Sequence, residues 1–433
     1  MSGPRGSTDG AGSPSQEGGS APSSYPGGRG GPPRVNDDDA RRAEPWPDGP
    51  PSHAALILTY LKISLLGFGG PNAHLALMLD EVVERRRWLS RERFVELIAV
   101  TNLLPGPNSS EVAIHVGYTQ RGWTGALATG LTFLLPTFVM VTALSALYFR
   151  YGTLPQVAPV FWGLQPVIVA VVLHAGVKIG RAGVKTGVQG LLAVGGAAVS
   201  LVSGQGVVAA MLAGGAATWW LRRGERTAPD PSDRPDPPSR RSTSGVWFLA
   251  PVAAAGGWAG SLATVFLTHL IMGSVLFGGG YVLVALLEPY AVDRYGWLTS
   301  AQFLDGVALT QAVPGPISTL SAFVGYAAAG VPGAVLGTVG IYLPAFVAVL
   351  FVAPRLERWR RVDALRHALE GVVPVAAGAV FGVGVMLARA GIVDAVGALV
   401  ALVALALAWR KVATVWLVAG GLVLGVARAV WLS

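Results

Sequence analysis

Apolar residues fill most of this chain in stretches of membrane length, separated by short polar or arginine-bearing segments. The stretches cover roughly 54–79, 123–149, 156–177, 188–221, 266–287, 333–353, 372–388 and 395–432. A helix needs about 20 such residues to cross a bilayer, so the pattern predicts an all-α polytopic membrane protein. Two stretches depart from it. Residues 1–46 are Gly, Ser, Pro, Asp and Arg with almost no apolar content, the composition of a disordered tail; without an apolar h-region it is not a signal peptide. Residues 222–244 are rich in Pro and Arg and read as a flexible cytoplasmic linker.

The pattern also occurs twice. Phe68-Gly69-Gly70 returns as Phe277-Gly278-Gly279, Trp88-Leu89-Ser90 as Trp297-Leu298-Thr299, and Pro105-Gly106-Pro107 as Pro314-Gly315-Pro316, each 209 positions on. A single deletion then shifts the offset to 208, which holds for Gly117-Tyr118 with Gly325-Tyr326 and for Leu135-Pro136 with Leu343-Pro344. The division is a first repeat over 47–221 and a second over 245–433. Internal repeats in an apolar chain are the mark of a secondary transporter.

Charge gives the copies opposite orientations. Segment 85–93 holds Arg85, Arg86, Arg87, Arg91 and Arg93, while its counterpart 294–302 holds Arg294 alone. The bias reverses at Arg150, which faces Arg355, Arg358, Arg360, Arg361 and Arg366, and again at Lys178, Arg181 and Lys185 against Arg389. Basic loops stay in the cytoplasm, so the copies are predicted to be inverted. Loop 85–93 inside and Arg150 outside require 94–118 to enter and leave by one face, as a re-entrant hairpin folded at Pro105-Gly106-Pro107. By the same logic 54–79 is a hairpin folded at Gly69-Gly70-Pro71, with 246–263 crossing before the second copy. The alternative is that 54–79 spans outright and the tail is external; the hairpin is preferred.

Composition narrows the function. The chain is 52% hydrophobic and 13% charged, with a mean hydropathy of +0.53; soluble domains carry about 25% charged residues. It has no cysteine, which removes disulfides, thiolate metal sites and thiol chemistry. Six scattered histidines offer no metal-ligand spacing, so no metal and no cofactor are expected. The net charge of +8 is dispersed in loops rather than gathered on one face, which argues against nucleic acid and for a lipid bilayer as the partner. A lipid-acting membrane enzyme would need clustered carboxylates, histidines or a metal, and the sequence shows no such cluster. Trp88, Trp123, Trp219, Trp220, Trp297 and Trp359 fall at segment ends, where interfacial anchors sit.

Non-helical backbone at membrane depth is tolerated only inside protein or along a polar cavity. Half-helices beginning after Pro71, Gly280, Pro107 and Pro316 would aim free N–H groups at the midplane, each end worth roughly half a positive charge. Gly69, Gly70, Pro105, Gly106, Pro107, Gly278, Gly279, Gly280, Pro314, Gly315 and Pro316 form these breaks. Asn72, Asn108, Ser109, Ser110, Ser318 and Thr319 follow them as donors for an acceptor-rich anion. His74 is a further candidate donor. Lys62 is either a fixed positive charge for a dianion or a lysine reaching for the interface; its counterpart is Ile271. Glu111 and His115 lie one helical turn apart, a candidate proton relay. Glu96 and Asp305 match each other, as do Asn102 and Gln311; the two acids are protonation candidates, or pair with loop arginines such as Arg93.

Taken together, the Phe-Gly-Gly, Trp-Leu-Ser/Thr, Pro-Gly-Pro, Gly-Tyr and Leu-Pro pairs resemble the chromate ion transporter family in its long two-domain form, over about 54–180 and 266–390. The resemblance implies a bacterial inner-membrane protein that exports chromate, with sulfate as the competing look-alike. Pro71-Asn72 stands where a further glycine and an aromatic would be expected, as in Gly280-Tyr281, and the long tail lies outside the family pattern. A homodimer is compatible with the sequence, which says nothing more on oligomeric state.

Overall fold

A computed structural model describes residues 50–152, 158–223, 262–353 and 363–432. The tail, most of the linker, 246–261 and the loop bearing Arg355, Arg358, Trp359, Arg360 and Arg361 lie outside the described residues. Among the described residues there is no strand. The first copy comprises α1 (His53–Leu66), α2 (Pro71–Met78, continued by a π-helical turn Leu79–Arg85), α3 (Arg91–Thr101), α4 (Asn108–Tyr151), α5 (Ala158–Gly183), α6 (Gly187–Val202) and α7 (Val207–Arg222). The second repeats it element for element. It comprises α8 (Leu262–Ser274), α9 (Val282–Glu288, with a π turn Pro289–Arg294), α10 (Ser300–Ala312), α11 (Leu320–Val347), α12 (Asp363–Gly391), α13 (Ala395–Trp409) and α14 (Thr414–Leu432).

The repeat holds at the level of single dihedrals. Helix α4 breaks at Arg121 (φ −140°, ψ 23°) and Gly122 (φ 60°, ψ −147°). Helix α11 breaks at Ala329 (φ −154°, ψ 30°) and Gly330 (φ 61°, ψ −150°). Each break reverses the chain. The Thr129 hydroxyl donates to the Ala113 carbonyl at 2.8 Å, although residues 16 apart in a straight helix would be separated by about 24 Å. Arms 108–120 and 123–151 therefore lie side by side, their backbones brought together at Gly117 and Gly125 and, in α11, at Gly325 and Gly333. The apolar runs 188–221 and 395–432 are likewise not single spans; each divides into a helix pair, at Gly204–Gly206 and at Arg410–Ala413.

Among the described residues, five segments are long and apolar enough to cross a membrane: Asn108–Tyr151, Pro159–Gly183, Ile317–Val352, Leu365–Gly391 and Thr414–Trp431. On arm 123–151, Leu131, Leu135 and Val139 recur every fourth residue and are exposed, while Phe133, Thr137 and Val141 are buried. An exposed apolar stripe of this kind suits a lipid-facing surface.

The copies are intertwined. Helix α5 packs against α13 and α14 of the second copy, and α12 packs against α6 and α7 of the first. Glycine allows these crossings: a β-carbon at Gly163 would run into the backbone of Gly421 and Gly425, and one at Gly371 into Gly214. Small residues let helix backbones approach where lipid offers no hydrophobic drive for association.

Both hairpins of the first copy start and finish at the α4 turn. Arg121 donates to the Pro51 carbonyl at 2.8 Å and to that of Pro50 at 3.0 Å, and His53 meets Thr124 at 2.9 Å, which fixes the start of α1 there. Gln120 donates to the Trp88 carbonyl at 3.2 Å, which brings the α2–α3 junction to the same place. Segments 54–79 and 94–118 are therefore hairpins, as expected. The base of the second Pro-Gly-Pro hairpin contacts the other end of arm 123–151. There Tyr326 stacks on Phe149, with centroids 5.8 Å apart, and the Tyr148 hydroxyl donates to Asp305 at 2.8 Å.

Candidate functional site

The hairpin tips meet in exchanged pairs. The Gly106 N–H donates to the Leu276 carbonyl at 2.9 Å, and the Gly315 N–H to the Gly67 carbonyl at 3.0 Å. Residues 67 and 276, like 106 and 315, are 209 positions apart, so each Pro-Gly-Pro tip is bonded to the Phe-Gly-Gly break of the other copy. Gly69 (φ 103°) and Gly70 (φ 81°) match Gly278 (φ 95°) and Gly279 (φ 105°). Side chains disfavour these left-handed angles, and glycine accepts them without steric cost. Pro107 and Pro316 are extended, with φ of −74° and −75°, and Pro105 and Pro314 close the other side of each tip.

His74 joins three of the breaks. Its Nε2 lies 2.8 Å from the Gly67 carbonyl, which can only accept, so Nε2 carries the proton and Nδ1 receives the Ser109 hydroxyl at 3.3 Å. Gly67 thus ties the second Pro-Gly-Pro tip, through His74, to the start of α4. The ring is buried edge-on against Phe133. In the second copy, Ser318 shares a hydrogen bond of 2.6 Å with Tyr342, and the Thr319 hydroxyl donates to the Pro316 carbonyl at 2.8 Å. Ser109, Ser110, Ser318 and Thr319 are all buried. Asn108 bonds the side chain of Asn102, and the matched Gln311 donates to the Tyr281 hydroxyl at 2.6 Å. Asn72 is exposed at the start of α2. Gly280 packs on Ile317, with no room for a β-carbon between them.

The half-helices begin near the expected positions, with one asymmetry. Helix α4 starts directly at Asn108, whereas a 3₁₀ turn, Ile317–Thr319, precedes α11. The one-residue deletion falls between Pro316 and Gly325, a stretch that includes this turn.

The ionisable candidates separate. Lys62 is half exposed and its ammonium lies 2.5 Å from Glu81, a buried carboxylate that Arg86 also reaches at 3.4 Å. Its charge is engaged on the flank of the first hairpin. Glu96 pairs with Arg93 at 2.6 Å. Its counterpart Asp305 instead accepts from Tyr148 and from Gln165, each at 2.8 Å. Glu111 and His115 are buried in arm 108–120, and neither carboxylate oxygen nor His115 Nδ1 has a hydrogen-bond partner. Among the described residues no group of three or more His, Cys, Asp or Glu could hold a metal.

Sequence reasoning missed Glu81, Tyr342 and Thr137. The Thr137 hydroxyl donates to the Pro314 carbonyl at 2.8 Å, holding the second tip against arm 123–151. Its signal was present in Leu135-Pro136-Thr137, where Leu135-Pro136 serves above only as a marker of the repeat.

The profile of the chromate transporter family matches residues 54–219 and 263–426, one match to each copy. The chain belongs to the chromate transporter family. It is similar to the chromate transport protein of Cupriavidus metallidurans, 30% identical over 385 residues that cover 86% of this chain and 92% of that one. The chromate transport protein of Pseudomonas aeruginosa is 33% identical over 345 residues, 75% of this chain and 78% of that protein. The probable chromate transport protein of Synechococcus elongatus is 29% identical over 371 residues, 83% and 91% of the two chains. No solved structure matches the chain. Chromate transporter membership gives the two matched regions, and so the duplicated tips, a common origin.

Proposed function

We propose that this protein exports chromate across a bacterial inner membrane by alternating access around the four tips, with the membrane potential as the main drive. The observation that carries the reading is the exchanged pair of tip hydrogen bonds, Gly106 to Leu276 and Gly315 to Gly67. It gathers the starts of α2, α4 and α11, with their buried hydroxyls, around one crossing. Helix starts offer N–H donors suited to a tetrahedral oxyanion, which Ser109 and Thr319 could join by releasing His74 and Pro316. Sulfate shares that charge and shape, and is the expected competitor.

An inverted arrangement of the copies is part of the proposal. The first copy's hairpin bases sit at the Arg121 end of arm 123–151, and a base of the second sits at the Tyr148 end. The positive-inside bias supports the same arrangement, with Arg85, Arg86 and Arg87 facing the cytoplasm. A dianion leaving an inside-negative cell gains about 4.6 kcal/mol per 100 mV, taking roughly 2.3 per charge. No coupled ion is needed to make export downhill.

The test is radiolabelled chromate flux in sealed proteoliposomes, with an imposed potential and sulfate as competitor. Potential-driven chromate movement slowed by sulfate is expected. No flux of either anion, in either orientation and with or without a pH gradient, would refute the oxyanion as cargo.

A further inference from the structure

Glu111 has no structural partner and lies at the crossing itself. The residue is 1% exposed, and both of its carboxylate oxygens lack a hydrogen-bond partner. It lies beneath the first Pro-Gly-Pro tip: a β-carbon built on Gly106 would stand 2.7 Å from Glu111 Oε1 and 3.0 Å from the Ala345 β-carbon. Gly106 is the residue whose N–H holds Leu276. The acid is thus placed where breaks from both copies meet, in the first turn of α4.

The groups that face it offer no compensating charge. On its own helix His115 is buried with Nδ1 unpartnered. Helix α3 brings Arg93 and Glu96, which pair with each other. Helix α2 brings His74, bonded to Gly67 and Ser109, and α11 brings Tyr342, bonded to Ser318. Residues 306–353 contain no Asp, Glu, Lys, Arg or His. An isolated buried charge is expensive, and a dianion arriving at the same helix start would add repulsion between like charges. When the crossing is open to water and holds no oxyanion, hydration and the start of α4 together favour the carboxylate in its first turn.

We propose that Glu111 is the proton-binding site of the transport cycle, so that one proton travels with each oxyanion. The carboxylate takes a proton from water on the side where the oxyanion binds. On release, the O–H bond breaks, the electron pair stays on the carboxylate oxygen and the proton leaves to water on the other side. Nothing is oxidised or reduced, and a dianion plus a proton moves one net negative charge. The second copy has no equivalent acid: Thr319 and Leu320 flank the matching place. The inference rests on an oxyanion being the cargo.

The experiment is proton counting on the purified full chain in weak buffer, with sulfate and then chromate added as probes and an indicator dye as readout. Wild type is expected to take up about one proton per bound oxyanion, and its apparent affinity to fall up to about tenfold per unit of rising pH. Glu111→Gln abolishes the uptake, Glu111→Asp retains it, and His115→Gln retains it. In proteoliposomes, wild type carries about one charge per ion by the ratio of current to flux. That measurement needs no variant. Oxyanion binding without proton uptake, two charges per ion in wild type, or uptake that survives Glu111→Gln would each overturn the proposal while leaving the cargo intact. Absence of any oxyanion binding would overturn the cargo and this inference together.

Discussion

Replacing Gly315 by alanine loads the crossing through a single carbon. Gly315 has φ of 121°, outside the basins that L side chains occupy, and holding alanine there costs about 1–3 kcal/mol. The new β-carbon would stand 2.8 Å from both the β-carbon and Cγ2 of Thr137. Thr137 is buried and cannot swing aside without losing the hydrogen bond to Pro314 that seats the tip. Overpacking of a well-filled site adds about 1–3 kcal/mol, which brings the total to about 2–6 kcal/mol at one tip. Two other glycines separate the contributions. Gly279 has φ of 105° and nothing within 4 Å of a built β-carbon, so Gly279→Ala carries the backbone cost alone. Gly187 opens α6 with ordinary φ and open space, and Gly187→Ala should be neutral or stabilising by up to about 1 kcal/mol. Thermal midpoints in detergent should fall in the order Gly187→Ala, Gly279→Ala, Gly315→Ala, and flux in proteoliposomes should be lost in the last. Gly315→Ala with wild-type midpoint and wild-type flux would refute the tight crossing of the tips.

Single cysteines at Arg87 and Gly296, equivalent and exposed positions 209 apart in a chain with no native cysteine, should react with impermeant maleimide from opposite sides of the membrane; labelling from one side would sink the inversion. Lys62→Ala should lower stability by less than about 1 kcal/mol, because Lys62 is half exposed and the buried Glu81 keeps Arg85 and Arg86. Its apparent anion affinity should stay within about twofold, and a tenfold loss in a binding assay would return Lys62 to the site. Asp305→Ala strips Tyr148 and Gln165 of their acceptor and should cost about 1–3 kcal/mol per orphaned donor. Asp305→Asn should recover part of the thermal midpoint, and equal midpoints for the two variants would show that these bonds do not hold the second hairpin.

The breaks were legible because glycine and proline impose them locally, and a fixed offset separates such a signal from the glycine common in membrane helices. Where the punctuation was weaker the reading ran on. Ser203–Gly206 interrupts an apolar run without proline, so 188–221 looked like one span. The turn at Arg410–Ala413 depends on Lys411 adopting φ of 63°, which its residue type does not announce. Partner choice was not legible at all. Gly106 is bonded to Leu276 rather than to Gly67 because the copies interlock, and spacing along one copy carries no trace of a contact made by the other. The same limit hid Thr137, whose partner Pro314 lies 177 residues away.

The backbone of the site is duplicated, as are Ser109-Ser110 in Ser318-Thr319 and Asn102 in Gln311, but several of its other polar side chains are not. Lys62 faces Ile271, Glu81 faces Tyr290, His74 faces Leu283, Thr137 faces Ala345, and Tyr342 faces Leu134 at the repeat offsets. Helix starts, which need only backbone, thus supply anion donors twice, while Lys62, His74 and Glu111 are supplied once. For a potential-driven exporter that difference has a consequence. One acid at the crossing neutralises half of a dianion's charge and leaves one net negative charge, worth about 2.3 kcal/mol per 100 mV, to be driven outward. A second acid, at Thr319, would make the loaded carrier electroneutral and remove that drive. The place that matches Glu111 is filled by Thr319 and Leu320, neither of which can carry a proton, so under the proposal made for Glu111 the two repeats differ in the one residue that would set the charge of the transported complex.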